Sequence, residues 1–428
     1  MTRTQDESEP ADIEVVAGNG LLNRRYFLRG GVVAAGGLVS LASVAARAET
    51  LTVPEWMQQP GEPFVAYGQP SHYEKIGRSI GATQTTSPGS GASRSPLQSL
   101  NGMITPNGLH YERSHNGVPD IDPDVHRLLI HGLVKRPLTF TVEALSRYPM
   151  TSRISFVECA GNGGALWAKQ PAVGTAATLQ GLVSCAEWTG VSLSVLLDEA
   201  GVDPKAQWLL AEGADAVGMS RSVPLAKARD DAMIALYQNG ERIRPSNGYP
   251  IRLLLPGYEG NMNVKWLRRI KMTEGPMMTR DETSRYSILL QDGRVAQFKF
   301  PMDAKSVITQ PSPGLNMRGP GFYEISGIAW SGNGKVAKVD VSADGGASWA
   351  EAALSEPVLS KAGTRFRMPW RWSGGPVVLM SRATDETGYV QPSRNALIAE
   401  RGAKGAYHYN GVTSWGVSEA GEISHVYA

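Results

Sequence analysis

The chain has 428 residues, enough for two domains that each bury a sizeable core. Hydrophobic residues make up 42% and charged residues 19%, which excludes disordered and fibrous classes. A formal net charge of +2 excludes the basic surplus expected of a nucleic-acid or membrane-surface binder.

The N-terminus reads as a targeting segment and not as fold. Asn23-Arg24-Arg25-Tyr26-Phe27-Leu28-Arg29 precedes an apolar, uncharged stretch from Gly30 to Ala46. Ala46-Arg47-Ala48 then supplies the small residues of a cleavage site after Ala48. The paired arginines resemble a twin-arginine export signal, so residues 1–48 are expected to be removed and the mature chain to work in the periplasm. The alternative is a short membrane anchor, against which stand the shortness and glycine content of the stretch. No later segment is apolar and long enough to span a bilayer, so no membrane span is expected after processing.

Residues 49–96 are rich in Pro, Gly and Ser and read as extended, irregular chain, including the run from Gly81 to Pro96. A first domain is expected over 97–287, with strands alternating with helical patterns. Arg153 to Cys159 reads as a strand running into the loop Ala160-Gly161-Asn162-Gly163-Gly164. Leu193, Leu196, Leu197 and Ala200 recur at helical spacing, with Gly201 at the C-cap. Ile251 to Leu255, bounded by Pro250 and Pro256, reads as a buried strand. A second domain over 288–428 takes on β texture near Ser306. Phe322 to Trp330 and Val336 to Ser342 flank Gly332-Asn333-Gly334, and Asp344-Gly345-Gly346 follows. Both turns read as hairpin loops, and a β-sandwich is the best fit.

The chain has two cysteines, Cys159 and Cys185. Nothing builds a disulfide scaffold, and there is no Cys-x-x-Cys-His for haem attachment. Cys159 ends a strand, shares a face with Val157, and opens a glycine-rich loop that a large ligand can approach. Its thiolate would suit a soft or high-valent metal; by itself, a lone thiol reads sooner as a small buried hydrophobe than as a ligand. Cys185 reads as quiet packing.

Several motifs in fixed order carry a resemblance. Phe156-Val157-Glu158-Cys159-Ala160-Gly161-Asn162, Tyr111-Glu112-Arg113-Ser114-His115-Asn116-Gly117-Val118-Pro119 and Asn247-Gly248-Tyr249-Pro250-Ile251-Arg252 resemble segments of the sulfite oxidase family of molybdopterin oxidoreductases. Val264-Lys265-Trp266-Leu267, Glu212-Gly213-Ala214-Asp215 and Val339 to Trp349 continue it. The resemblance implies an α+β architecture: a mixed α/β molybdopterin-binding domain followed by an immunoglobulin-like dimerisation domain. It also implies Mo-molybdopterin as cofactor, with Cys159 as the protein's ligand to molybdenum. Tyr111, Arg113, His115, Asp215, Asn247, Arg252, Val264 and Lys265 stand where the family holds the pterin and its phosphate. Tyr286 and Arg401, with Arg113, stand where it meets the substrate anion.

The chain departs from animal members at the loop after Cys159. Two arginines there are replaced by Gly163 and Gly164, and a pocket tryptophan by Thr178 on an ungapped count. Less charge and more room suit sulfur carried on an arm more than free sulfite. The pattern is similar to the sulfane dehydrogenase branch, which implies a persulfide on a sulfur-carrier protein as substrate. Lacking haem and cluster motifs, the chain would need a c-type cytochrome to take its electrons, within a homodimer or heterotetramer. Other readings are a periplasmic sulfite dehydrogenase, a reductase of nitrate or methionine sulfoxide, and a non-enzymatic exported β-sandwich binding protein.

Overall fold

A computed structural model describes residues 14–24, 52–81 and 87–428. Residues 1–24 and 77–428 belong to one unit, and 25–76 to another. Within the second unit the described residues form one 3-10 turn, Glu55–Met57, and otherwise no regular element, as their Pro and Gly content predicts. The leader beyond Arg24, with its apolar stretch and cleavage site, lies outside the described residues.

The first domain is built on two sheets. One has the order Ser220–Pro224, Trp208–Gly213, Leu267–Thr273, Arg127–Gly132 and Leu138–Thr141, antiparallel except where Leu267–Thr273 runs parallel to Arg127–Gly132. The other pairs Met150–Glu158 with Val183–Ser192, which pairs in turn with Met233–Gln238. The helix Leu193–Ala200 forms where the apolar spacing places it, with those four side chains buried and Gly201 closing it at φ 67°. Arg252–Leu254 is a fully buried strand, as its flanking prolines suggest.

The second domain is a sandwich of two antiparallel sheets. The order Leu21–Leu22, Thr364–Trp372, Gly321–Trp330, Lys305–Gln310 makes one, and Ala350–Glu351, Val336–Ser342, Val377–Asp385, Ser414–Val417, Ile423–Val426 the other. One expected hairpin is real: Asp344-Gly345-Gly346 joins strands that pair Asp340 with Glu351. The other is not. Gly321–Trp330 and Val336–Ser342 belong to different sheets, so Gly332-Asn333-Gly334 carries the chain across the sandwich. A short glycine turn permits either outcome; the packing of Val336, Val339 and Val341 into the inter-sheet core decides it.

Two further expectations are corrected. Within the irregular run after Gly81, Gly91–Arg94 is a strand pairing with Glu112–Ser114, which places Arg113 opposite Ala92. The N-terminus is not wholly outside the fold either: Val15–Ala17 and Leu21–Leu22 are strands, and Leu21 pairs with Trp370.

The domain boundary is a change of texture without a break in packing. Phe156, Leu166, Val183 and Cys185 of the first domain share one buried cluster with Ile328, Trp330 and Phe366 of the second. Cys185 is a free, buried thiol that accepts a hydrogen bond from the Gly363 amide at 3.4 Å, which is the quiet role expected of it.

Candidate active site

The alternation of the strand Met150–Glu158 decides what surrounds Cys159. Phe156 and Glu158 face the second domain; Val157 and Cys159 face a cavity in the first. Glu158 is fully buried and accepts from Lys305 Nζ at 2.6 Å, Trp330 Nε1 at 2.6 Å and Asn162 Nδ2 at 2.9 Å. Asn162 Oδ1 accepts from the Leu182 amide at 3.0 Å. The loop bearing Cys159 is therefore held from the second domain and from the neighbouring strand. Gly260 passes so close that a Cβ there would lie 2.6 Å from the Tyr111 hydroxyl and 3.2 Å from Cys159 Cα. Only glycine keeps that wall open.

The half-buried Cys159 thiol opens onto a cavity of the first domain. Tyr111, Arg113, His115, Asp215, Asn247, Arg252, Val264, Lys265 and Tyr286 all line it. Among the described residues Arg113, Arg252 and Lys265 form no ion pair, although Arg252 is buried and lies 4.9 Å over the Trp188 ring. Arg252 donates to the Asn247 and Asn263 carbonyls at 2.8 and 2.9 Å, and its Nε has no partner. Lys265 donates to the Ser246 carbonyl at 2.8 Å. Burial pushes Lys265 down to about 7 and Arg252 to about 10. His110 Nε2 and Asn247 Oδ1 are also buried and unpartnered. A buried arginine without an ion-pair partner calls for an anion, and orphaned donors and acceptors at one wall call for a polar heterocycle. The residues present thus fit a pterin with a phosphate. Among the described residues no three His, Cys, Asp or Glu side chains converge as a metal cage. A metal here would take one protein ligand, Cys159, and the rest from its cofactor.

Tyr286 and His115 meet at the cavity, with the hydroxyl and Nε2 3.0 Å apart in a hydrogen bond. Burial lowers His115 to about 3, aided by Arg113, and raises Tyr286 well above its ordinary range. Both are neutral near pH 7, so Tyr286 keeps a proton to donate. Arg221 stacks 4.8 Å over the Tyr286 ring and is itself clamped by Glu259 and Glu282, each at 2.9 Å. Tyr286, Trp266 and His408 hold positive φ of 51°, 53° and 55°, the left-handed region that bulky residues avoid. Such strain persists where the surroundings over-determine it.

Arg401 is not brought to the cavity. Its guanidinium donates to Asp303 at 3.1 Å and to the His408 carbonyl at 2.9 Å. Thr178 is exposed in the capping box of the helix Ala176–Gln180, so it does not replace a pocket residue. Gly163 lies under the Tyr409 ring and not on an open mouth. What the two glycines admit is the second domain's tail. His408 donates its amide to the Ala160 carbonyl at 2.8 Å and pairs with Glu259 at 2.9 Å, while Tyr407 lies 5.3 Å from Tyr286. His110, Gly260, Glu259, Tyr407 and His408 were not singled out from sequence. Only the adjacency of His110 to Tyr111 offered a signal.

A cavity with one thiol and cations on its wall, abutting a β-sandwich, suits an oxidoreductase of the molybdopterin class. Residues 115–280 match the family described as Oxidoreductase molybdopterin binding domain, and 296–414 that described as Mo-co oxidoreductase dimerisation domain. Sulfite oxidase of Gallus gallus is 30% identical, the match covering 69% of this chain and 70% of that protein. The NADPH nitrate reductase of Phytophthora infestans is also 30% identical, over 65% of this chain but only 34% of its own length. The crystal structure of the sulfane dehydrogenase SoxCD from Paracoccus pantotrophus superposes with a TM-score of 0.86 at 46% identity, covering 88% of this chain and 97% of that one. The chain belongs to the sulfite oxidase family of molybdopterin oxidoreductases, and Mo-molybdopterin is its cofactor.

Proposed function

We propose that this chain is an exported sulfane dehydrogenase subunit that oxidises the sulfane sulfur of a cysteine persulfide on a carrier protein towards sulfonate and passes electrons to a c-type cytochrome. The observation that carries this reading is the 46% identity to a sulfane dehydrogenase along nearly the whole of that chain. Support comes from the loop after Cys159, where Gly163 and Gly164 take no part in holding a small anion, and from Arg401, which Asp303 keeps out of the cavity. The leader with Arg24 and Arg25 supports a periplasmic location, and the second domain's family supports a homodimer or heterotetramer.

When bound, the molybdopterin supplies two-electron redox chemistry with oxygen-atom transfer to sulfur. Arg252 and Lys265 would hold its phosphate, and Asn247 and His110 would meet its polar edges. Cys159 would supply the thiolate to the metal. Arg113 and Tyr286 would face the reacting sulfur, where a fixed cation and a phenol that keeps its proton would stabilise charge on the oxygenated product. Each cycle adds one oxygen from water and releases two electrons and two protons, so reaching sulfonate takes repeated cycles.

Steady-state turnover of the holoenzyme with a c-type cytochrome as acceptor tests the reading. A persulfidated carrier protein should give a kcat/KM well above that of free sulfite. Turnover of sulfite alone would instead identify a sulfite dehydrogenase.

A further inference from the structure

The stretch Glu14–Arg24 precedes the apolar part of the leader, yet it is seated in the sandwich. Leu21 and Leu22 are 0% and 2% exposed, as buried as the central core. Leu21 continues the sheet along the free end of Thr364–Trp372. The Trp370 indole donates to the Asn19 carbonyl at 2.7 Å, Asn19 Nδ2 donates to the Ala343 carbonyl at 2.8 Å, and the Gly18 amide donates to Ser348 Oγ at 2.7 Å. Gly20 holds φ 85°, and a Cβ on it would lie 2.1 Å from the Arg371 carbonyl oxygen; one on Gly18 would lie 2.1 Å from Asp344 Oδ2. The seat thus accepts a tight hairpin, Val15–Ala17 paired with Leu21–Leu22 about a turn at Gly18–Gly20, with glycine at two turn positions and leucine at the next two; Leu21 adds it to the sheet edge. At its end Arg24, the first of the paired arginines, forms an ion pair with Glu351.

We propose that Glu14–Arg24 is a hairpin ligand of the folded second domain, which holds Arg24 of the leader against the protein until the strap is released. The masking rests on the reading of Arg24 and Arg25 as an export address; the strand seat does not. An export receptor must engage the arginine side chains, and Arg24 is occupied while the strap is docked. Two leucines and a few hydrogen bonds oppose the entropy of fixing eleven residues, so the strap acts as a latch that opens. Removal of residues 1–48 would leave the strand end at Trp370 bare.

The test uses the full-length precursor and the variant Leu21→Asp/Leu22→Asp. Hydrogen exchange in the wild type should show protection at residues 15–22 and 369–372. The variant should exchange at both at least tenfold faster, with Gly321–Trp330 unchanged as the control for folding. Free exchange of residues 15–22 in the wild type overturns the seat. In cells the variant should be processed several-fold faster; an equal or slower rate overturns the latch. Arg24→Lys/Arg25→Lys checks the address separately. Export that survives it removes the masking along with the address, while protected strap amides would still establish the hairpin ligand.

Discussion

Two groups of buried charge flank the Cys159 loop, and they are finished differently. In the closed group, Glu158 is met from the second domain by Lys305 and Trp330 and locally by Asn162, and Arg221 by Glu259 and Glu282 of its own domain, so each cation has an opposite partner. On the cavity side, the buried Arg252 and the half-buried Lys265 form no ion pair; Arg252 donates to carbonyls, and Lys265 to carbonyls and the Ser114 hydroxyl. Burial without a counter-charge is costly and survives where something else supplies the charge. The first group holds the loop in place; the second is half of a binding site. Closure of the charge balance within the chain is what separates scaffold from site here.

The largest effect that would break this comparison is at the sulfur between the two groups. Cys159→Ser should abolish turnover and leave the melting temperature within a few degrees; an active variant with metal bound by elemental analysis would remove its role. Next comes the closed group. Glu158→Ala strands the Lys305 ammonium and should cost about 3–5 kcal/mol in chemical denaturation. Lys265→Met, which removes a cation that burial already disfavours, should cost far less while losing cofactor; equal costs would erase the distinction.

Tyr286→Phe removes a donor that faces the developing charge and should lower kcat by about 10²-fold with little change in stability. A change in KM alone would make Tyr286 a binding contact. The smallest effect concerns Lys265, whose pKa burial lowers from 10.5 to about 7. An anion at the cavity favours the ammonium form, so inorganic phosphate should bind the cofactor-free chain more weakly as pH rises above 7, with proton uptake on binding. Calorimetry in two buffers of different ionisation enthalpy reads that uptake. For the same reason the unfolded chain binds more protons at this group between pH 7 and 10.5, so its contribution to stability improves across that window.

Much of the site was legible. Tyr111, Arg113, His115, Asn247, Arg252, Lys265 and Tyr286 come from four separate stretches and converge on one cavity; the resemblance of those stretches to the sulfite oxidase family is what singled them out. Arg401 was misplaced because an arginine near a helix end can reach several partners, and the acid that captures it, Asp303, lies 98 residues away. Thr178 was misassigned because counting without gaps cannot see that a capping box has turned the chain into a helix. The strap at Leu21 was hidden by the leader's own signature, since Leu-Leu beside paired arginines looks like targeting sequence whether or not a seat for it exists.

Local pattern alone determined a strand of alternating faces ending at Cys159 and a loop too small to cover it; the basic and aromatic residues of the cofactor site were read from the family resemblance of their motifs. The strand and the loop rest on backbone geometry within a few residues. Tertiary structure alone decided which charges are neutralised, which sheet receives Val336–Ser342, and what covers the loop after Cys159. Those outcomes depend on contacts such as Glu158 with Lys305, 147 residues apart, whose formation is set by how the two domains pack and not by either segment's own preference.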